Sequence, residues 1–201
     1  MTDALSARLD QILPKITSDS FLSNAGLGNE IACYIFDYPA EDELRIRDHL
    51  QHLEGQLQSR KPSLRWQHLN LLDVCVRYLQ ERGLFDKALE MQVKKGDESL
   101  HKALKGPMAA EKIRDFLAKE HALAESELLL ISGVGSVWPM LRAHSLLNCL
   151  HPVIGDTPLV MFYPGTFDGT ALRLFGQAAS AEPGVGARNY YRAFHLIGAA
   201  S

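Results

Sequence analysis

The chain has 201 residues, a formal net charge of −3 at pH 7, 46% hydrophobic residues and 22% charged ones. This is the balance of a globular protein able to bury a sizeable core, and it excludes both a strongly basic nucleic-acid-binding chain and an acidic mimic of DNA. No run nears the ~18 apolar residues of a membrane span. The three cysteines, Cys33, Cys75 and Cys149, are odd in number and set in apolar stretches, so reduced core thiols and a cytoplasmic location are expected.

Residues 3–16 place Leu5, Leu9, Ile12, Leu13 and Ile16 at spacings of three and four, which predicts a helix with one apolar face and not a signal peptide. A glycine- and asparagine-bearing loop at 21–29 leads to an apolar run at 31–36, read as a buried strand ending at Asp37, Tyr38 and Pro39. Glu41, Asp42 and Glu43 suit a helix start, because carboxylates are favoured at the positive end of the helix dipole, and this helix is expected to reach about Gln58. A second strand is predicted at 66–71. From Leu72 to about His121 the pattern is helical, and Gly83, Gly96 and Gly106-Pro107 punctuate it into four short helices.

Residues 128–131 are apolar throughout, another buried strand, and run into Ser132, Gly133, Val134, Gly135 and Ser136. Residues 137–150 then predict a helix with Ser136 as N-cap and Pro139 tolerated in the first turn. A strand at 159–163 is ended by Pro164 and Gly165, and two more are expected at 171–175 and 190–197, separated by a loop at 176–188. Apolar strands alternating with helices imply an α/β fold: a mostly parallel sheet flanked by helices, Rossmann-like or degenerate P-loop-like, with a helical insertion at about 72–121, in a single domain over 1–201.

In such a sheet ligands bind beyond the carboxyl ends of the strands, so the loops there are the first places to seek chemistry. Gly133 and Gly135 before a helix, with Ser136, suit either an anion held by backbone N–H groups or a tight strand-to-helix turn. Trp138 occupies the place of the third glycine of a dinucleotide fingerprint, and no P-loop lysine is present. Asp37, at a strand end, is read either as a general base or ligand or as a turn residue before proline, and Asp168 in an Asp-Gly pair carries the same two readings. The only histidines at helical spacing, His49 and His52, have no cysteine or clear carboxylate partner beside them, so no metal is expected. Ser132 and Ser136 flank the glycines without a G-x-S-x-G elbow.

From Leu128 to Ser201 only seven of 74 residues are charged: Arg142, Arg173, Arg188, Arg192, Asp156, Asp168 and Glu182. An arginine in such a region is paired internally, contacts a partner or anchors an anion, which singles out Arg142, Arg173 and Arg192. Tyr190, Tyr191, Arg192 and Phe194 have the composition of an interface core or of a buried last strand.

Several strings in register resemble the BrxB family, a small component of BREX bacteriophage-defence systems. They are Phe21 to Ile31, Tyr34 to Pro39, Ser132 to Pro139 with Leu141 to His144, Val160 to Gly169, and Asn189 to Phe194. The resemblance implies a place in a bacterial defence complex beside a methyltransferase, an ATPase and the alkaline-phosphatase-like protein PglZ, with PglZ as the expected direct contact. It carries no set of catalytic residues and no cofactor.

The reading that follows is a non-catalytic assembly subunit of a BREX-type defence complex that binds a PglZ-like partner, with DNA met only through the complex. A nucleotide-binding switch, in which Gly133, Gly135 and Ser136 hold a phosphate, is the alternative. A DNA-contacting subunit using Lys87, Lys94, Lys95, Lys102, Lys105, Lys112 and Arg114 is the second alternative, set against interleaved acids that make a solvated helical surface.

Overall fold

A computed structural model of the protein describes residues 3–23, 33–121, 123–176 and 193–198. Its helices are α1 (Ala4–Leu9), α2 (Ile12–Ile16), α3 (Asp19–Leu22), α4 (Glu43–Arg60), α5 (Leu71–Glu81), α6 (Phe85–Leu104), α7 (Ala110–Glu120), α8 (Val134–Val137) and α9 (Ala143–Ile154). Its strands are β1 (Cys33–Tyr38), β2 (Trp66–Asn70), β3 (Leu128–Ser132), β4 (Leu159–Phe167), β5 (Leu172–Leu174) and β6 (Ala193–His195). The strands form one sheet in the order β2-β3-β4-β1-β6, parallel throughout, with β5 added antiparallel to the far end of β4. This is the α/β class with a mostly parallel sheet that the alternation of apolar runs and helices predicted.

Successive side chains of a strand point to opposite faces, and here both faces are covered. Tyr34, Phe36, Leu128, Leu130, Val160 and Phe162 pack beneath α1 to α4, with Ile46, Leu50, Leu53 and Leu57 of α4 interleaved among them. Ile35, Leu129, Ile131, Leu159, Met161 and Tyr163 face the other way, against α5, α7 and α9. Strands buried on both sides need no polar alternation, which is why 128–131 reads as an unbroken apolar run.

The helical middle holds its predicted punctuation. The chain leaves helical geometry at Gly96 (φ 76°, ψ 175°), so α6 is two helical pieces, and α5 and α7 make up the four. Elsewhere prolines cut more sharply than the periodicity suggests. The helix expected at 3–16 is split at Asp10 and Gln11 into α1 and α2, because Pro14 lacks the N–H that would continue the ladder back to Asp10. The helix expected at 137–150 does not start there. Trp138, which precedes Pro139, is extended (ψ 141°), and Pro139 has no N–H to continue the ladder, so α8 stops at Val137 and α9 begins at Ala143 with Arg142, not Ser136, in its N-cap position.

Strand β4 also overruns its expected end. Pro164 and Gly165 lie inside it, and Gly165 allows a close backbone approach, since a Cβ there would sit 2.1 Å from the Arg173 carbonyl oxygen of β5. The hairpin so formed folds back over the strand ends. Residues 190–192 of the last predicted strand, Arg192 among them, lie outside the described residues; β6 accounts for Ala193–His195.

Candidate functional site

The residues singled out from sequence that the structure describes lie mostly at and beyond the carboxyl ends of β1, β3 and β4, in two groups, and a third group joins Ser132 to residues that carry no motif. Asp37 is engaged on both carboxylate oxygens. Oδ1 accepts from Arg8 Nη2 at 2.8 Å and Oδ2 accepts from the backbone N–H of Phe167 at 3.1 Å. Arg8 also donates to the carbonyls of Asp37 (2.9 Å) and Ile197 (3.3 Å), and its guanidinium stacks 4.6 Å over the Phe36 ring. Both partners are mostly buried, so Asp37 here is a clasp between α1, β1 and β4. Asp168 is held by its own turn: it accepts from Thr170 N (2.9 Å) and Ala171 N (2.8 Å) and pairs with Arg173 at 2.8 Å. The Ala171 and Thr170 amides, then the Arg173 charge, hold its carboxyl below the ordinary aspartate range. The two aspartates therefore serve separate structures.

The glycine loop is filled by protein atoms. Gly133 adopts φ 72°, and a Cβ there would lie 2.6 Å from Asn70 Oδ1, the oxygen that caps α5 by accepting from Leu72 N at 3.0 Å. Gly135 seats the Phe175 ring, with Cε1 and Cζ each 3.0 Å from where a Cβ would be, and Pro164 Cγ equally close. Ser136 Oγ accepts from Arg47 Nη2 at 3.4 Å; Arg47 pairs with Glu43 at 3.0 Å, and Glu43 accepts the Tyr38 hydroxyl at 2.6 Å.

Above this seat stands an aromatic pair. Phe175, in the left-handed region at φ 54°, meets Trp138 edge-to-face with ring centroids 6.2 Å apart, and the two are 42% and 45% exposed. A bulky residue at positive φ is strained and persists only where its surroundings hold it there. Next along the chain, Pro139 and Met140 join Leu100 and His101 in lining a cleft of about 310 Å³ rimmed by Asp97 and Glu98. Arg142 is exposed at the start of α9.

The third group was not visible as a motif. Ser132, the last residue of β3, lies with Oγ 2.7 Å from His68 Nε2 of β2, and His68 Nδ1 is hydrogen-bonded to Glu54 Oε1 of α4. An ionised carboxylate only accepts, so Nδ1 carries the proton; in the neutral ring Nε2 is then the acceptor, and the Ser132 hydroxyl donates to it. Sequence separations of 64 and 14 residues hid this chain. Only the pairing of Asn70 with Ser132 in adjacent strands, and the crossing of α4 over that face, bring it together.

Burial pushes the thiols of Cys33 and Cys75 up to about 12, in keeping with inert core cysteines. Among the described residues no three His, Cys, Asp or Glu side chains are grouped to hold a metal ion, and no helix is long and apolar enough to cross a membrane.

Comparison with known proteins adds context to this geometry. The family profile described as "BREX protein BrxB" matches residues 67–196. A BREX protein BrxB of Escherichia coli O9:H4 (strain HS) is 43% identical over 193 residues, spanning 96% of this chain and 92% of the relative. One of Bacillus cereus (strain H3081.97) is 38% identical over 195 residues, spanning 96% and 97%. No solved structure matches the chain.

Proposed function

The chain belongs to the BrxB family of BREX proteins, and on that premise we propose that it is an assembly subunit of an anti-phage defence complex, acting by direct contact with a PglZ-like partner of the alkaline-phosphatase superfamily. The observation that carries this reading is the exposed Trp138–Phe175 pair in the charge-poor last third of the chain. Tryptophan and other large aromatics dominate binding energy where a partner excludes water, and scarce charge keeps the desolvation cost of such a surface low. Arg142, four residues after Trp138, is exposed, and Arg173, two residues before Phe175, is half-exposed.

The assembly reading is preferred to a nucleotide switch because both loop glycines have a packing reason to be glycine. It is preferred to direct DNA contact because Lys94 and Lys102 are paired with Glu90 (3.1 Å) and Glu98 (2.8 Å) on the helical middle, which makes a mixed-charge surface. The test is co-expression with a PglZ-like protein followed by gel filtration. A joint peak is expected; separate elution with both proteins at micromolar concentration overturns the proposal.

A further inference from the structure

We propose that Ser132, His68 and Glu54 form a serine-nucleophile centre that hydrolyses short-chain carboxylic esters, an activity beyond the assembly role. Two observations converge on it. The hydrogen bonds run in the order nucleophile, base and orienting carboxylate, with Ser132 Oγ 2.7 Å from His68 Nε2 and the opposite ring nitrogen on Glu54. The proton positions forced by the carboxylate leave Nε2 free to take the serine proton, the arrangement a general base needs.

Placement is the second observation. Ser132 ends a parallel strand, where α/β sheets present reactive groups, and is followed at once by the left-handed Gly133 and by α8. Ser132 itself stays in the ladder opposite Asn70, and its side chain lies on the α4 side of the sheet, where His68 and Glu54 meet it. The G-x-S-x-G string is missing because Leu130 and Val134 occupy the two glycine positions, both buried in the core, while the turn is supplied by Gly133.

The bonding itself is of an uncommon kind. Most side-chain hydrogen bonds of folded proteins go to backbone or water, and only a small fraction join side chains. Here a serine, both nitrogens of a histidine and a glutamate are linked side chain to side chain, across three elements.

The reaction balances with water as the only co-reactant. Ser132 Oγ adds to the ester carbonyl carbon as its proton passes to His68 Nε2, and Glu54 stabilises the imidazolium. The carbon–oxygen bond to the alcohol breaks, and Nε2 returns the proton to the departing alkoxide. Water then gives a proton to Nε2 and adds to the acyl-serine; as the bond to Ser132 Oγ breaks, Nε2 passes that proton to Oγ, which releases the carboxylic acid and restores both the serine hydroxyl and the neutral imidazole. Ser132 is only 6% exposed, so a small acyl group, acetyl, is the one to test.

The test uses the full-length protein with a fluorophosphonate probe and with p-nitrophenyl acetate. One covalent adduct is expected, mapped to Ser132 by peptide mass spectrometry, with turnover of the acetate ester. Ser132→Ala abolishes both, and His68→Ala and Glu54→Gln each lower ester turnover by about 10²-fold or more. Glu54→Asp recovers part of the Glu54→Gln loss, which marks Glu54 as a positioning residue. Circular dichroism confirms that each variant folds. No adduct on the wild-type protein, an adduct at another residue, or unchanged labelling of the His68→Ala variant overturns the proposal. Should Ser132→Ala fail to fold, the adduct position on the wild-type protein decides by itself.

Discussion

The guanidinium of Arg8, on the first helix, is locked to the end of β1 through Asp37: Nη2 lies 2.8 Å from the carboxylate and Nη1 lies 2.9 Å from the carbonyl of the same residue. Removing one partner of a mostly buried pair leaves the other charge without compensation. Asp37→Ala is expected to cost about 3 kcal/mol, or roughly 10 °C of melting temperature for a chain of this size. Asp37→Asn should cost less, because it still offers an acceptor to the Phe167 amide. The double variant Arg8→Met with Asp37→Ala should recover part of the loss. Thermal melts of the four proteins check this, and an Asp37→Ala variant as stable as the wild type would refute the clasp.

Gly133 and Gly135 should differ in what alanine costs them. Gly133→Ala meets Asn70 Oδ1 at 2.6 Å and a positive φ, so it combines about 1–2 kcal/mol of backbone strain with the loss of a helix cap, about 1 kcal/mol more. Gly135→Ala meets only the edge of the Phe175 ring and Pro164 at 3.0 Å, and costs about 1 kcal/mol as the ring shifts. Melting temperatures should rank wild type, Gly135→Ala, Gly133→Ala in falling order.

Trp138→Ala and Phe175→Ala should leave the melting temperature near that of the wild type while weakening a PglZ-like partner by about 2 kcal/mol each, roughly 30-fold in Kd. Calorimetry with purified proteins measures it. Wild-type affinity in both variants would move the contact surface elsewhere. Alanine at Arg142, Arg173 and Arg192, the arginines singled out from the sequence, with folding checked by melting, tests in the same assay whether they contribute to the contact.

The protein should lose stability on mild acidification. Burial, and after it a neighbouring cation or histidine (His52 for His49, Arg77 for His121, Arg142 for His144), holds these three imidazoles below the ordinary value of 6.5. The unfolded chain therefore binds protons more readily than the folded one. Their contribution is present above pH 6.5 and fades as pH falls from there through the depressed values. Melting temperature should drop as the pH falls below about 6.5, and a neutral replacement such as His144→Asn should shallow the slope.

Cysteine reactivity should follow burial. Cys33 and Cys75, pushed up to about 12, should resist a disulfide reagent at neutral pH in the folded protein, whereas Cys149, partly exposed, should react first. Counting thiols before and after denaturation measures this; equal rates for all three in the folded protein would contradict it.

Local pattern by itself determined the class of the fold and most of its elements. Unbroken apolar runs such as 128–131 mark strands covered on both faces, and Gly96 breaks a helix wherever that helix sits, because each is a property of a few consecutive residues. The same local reading ran too far at Pro139 and stopped too soon at Pro164, where the outcome hinged on what the proline's neighbours touch. Only the tertiary structure decided the roles of side chains. Asp37 became a clasp because Arg8 reaches it from another layer, and Gly135 became the seat of a ring that arrives from the β4–β5 hairpin. Ser132, unremarkable beside its glycines, gained His68 and Glu54 through strand register and the crossing of α4. Periodicity records which face of an element is buried; which residue waits on the other side is set by how the elements are stacked.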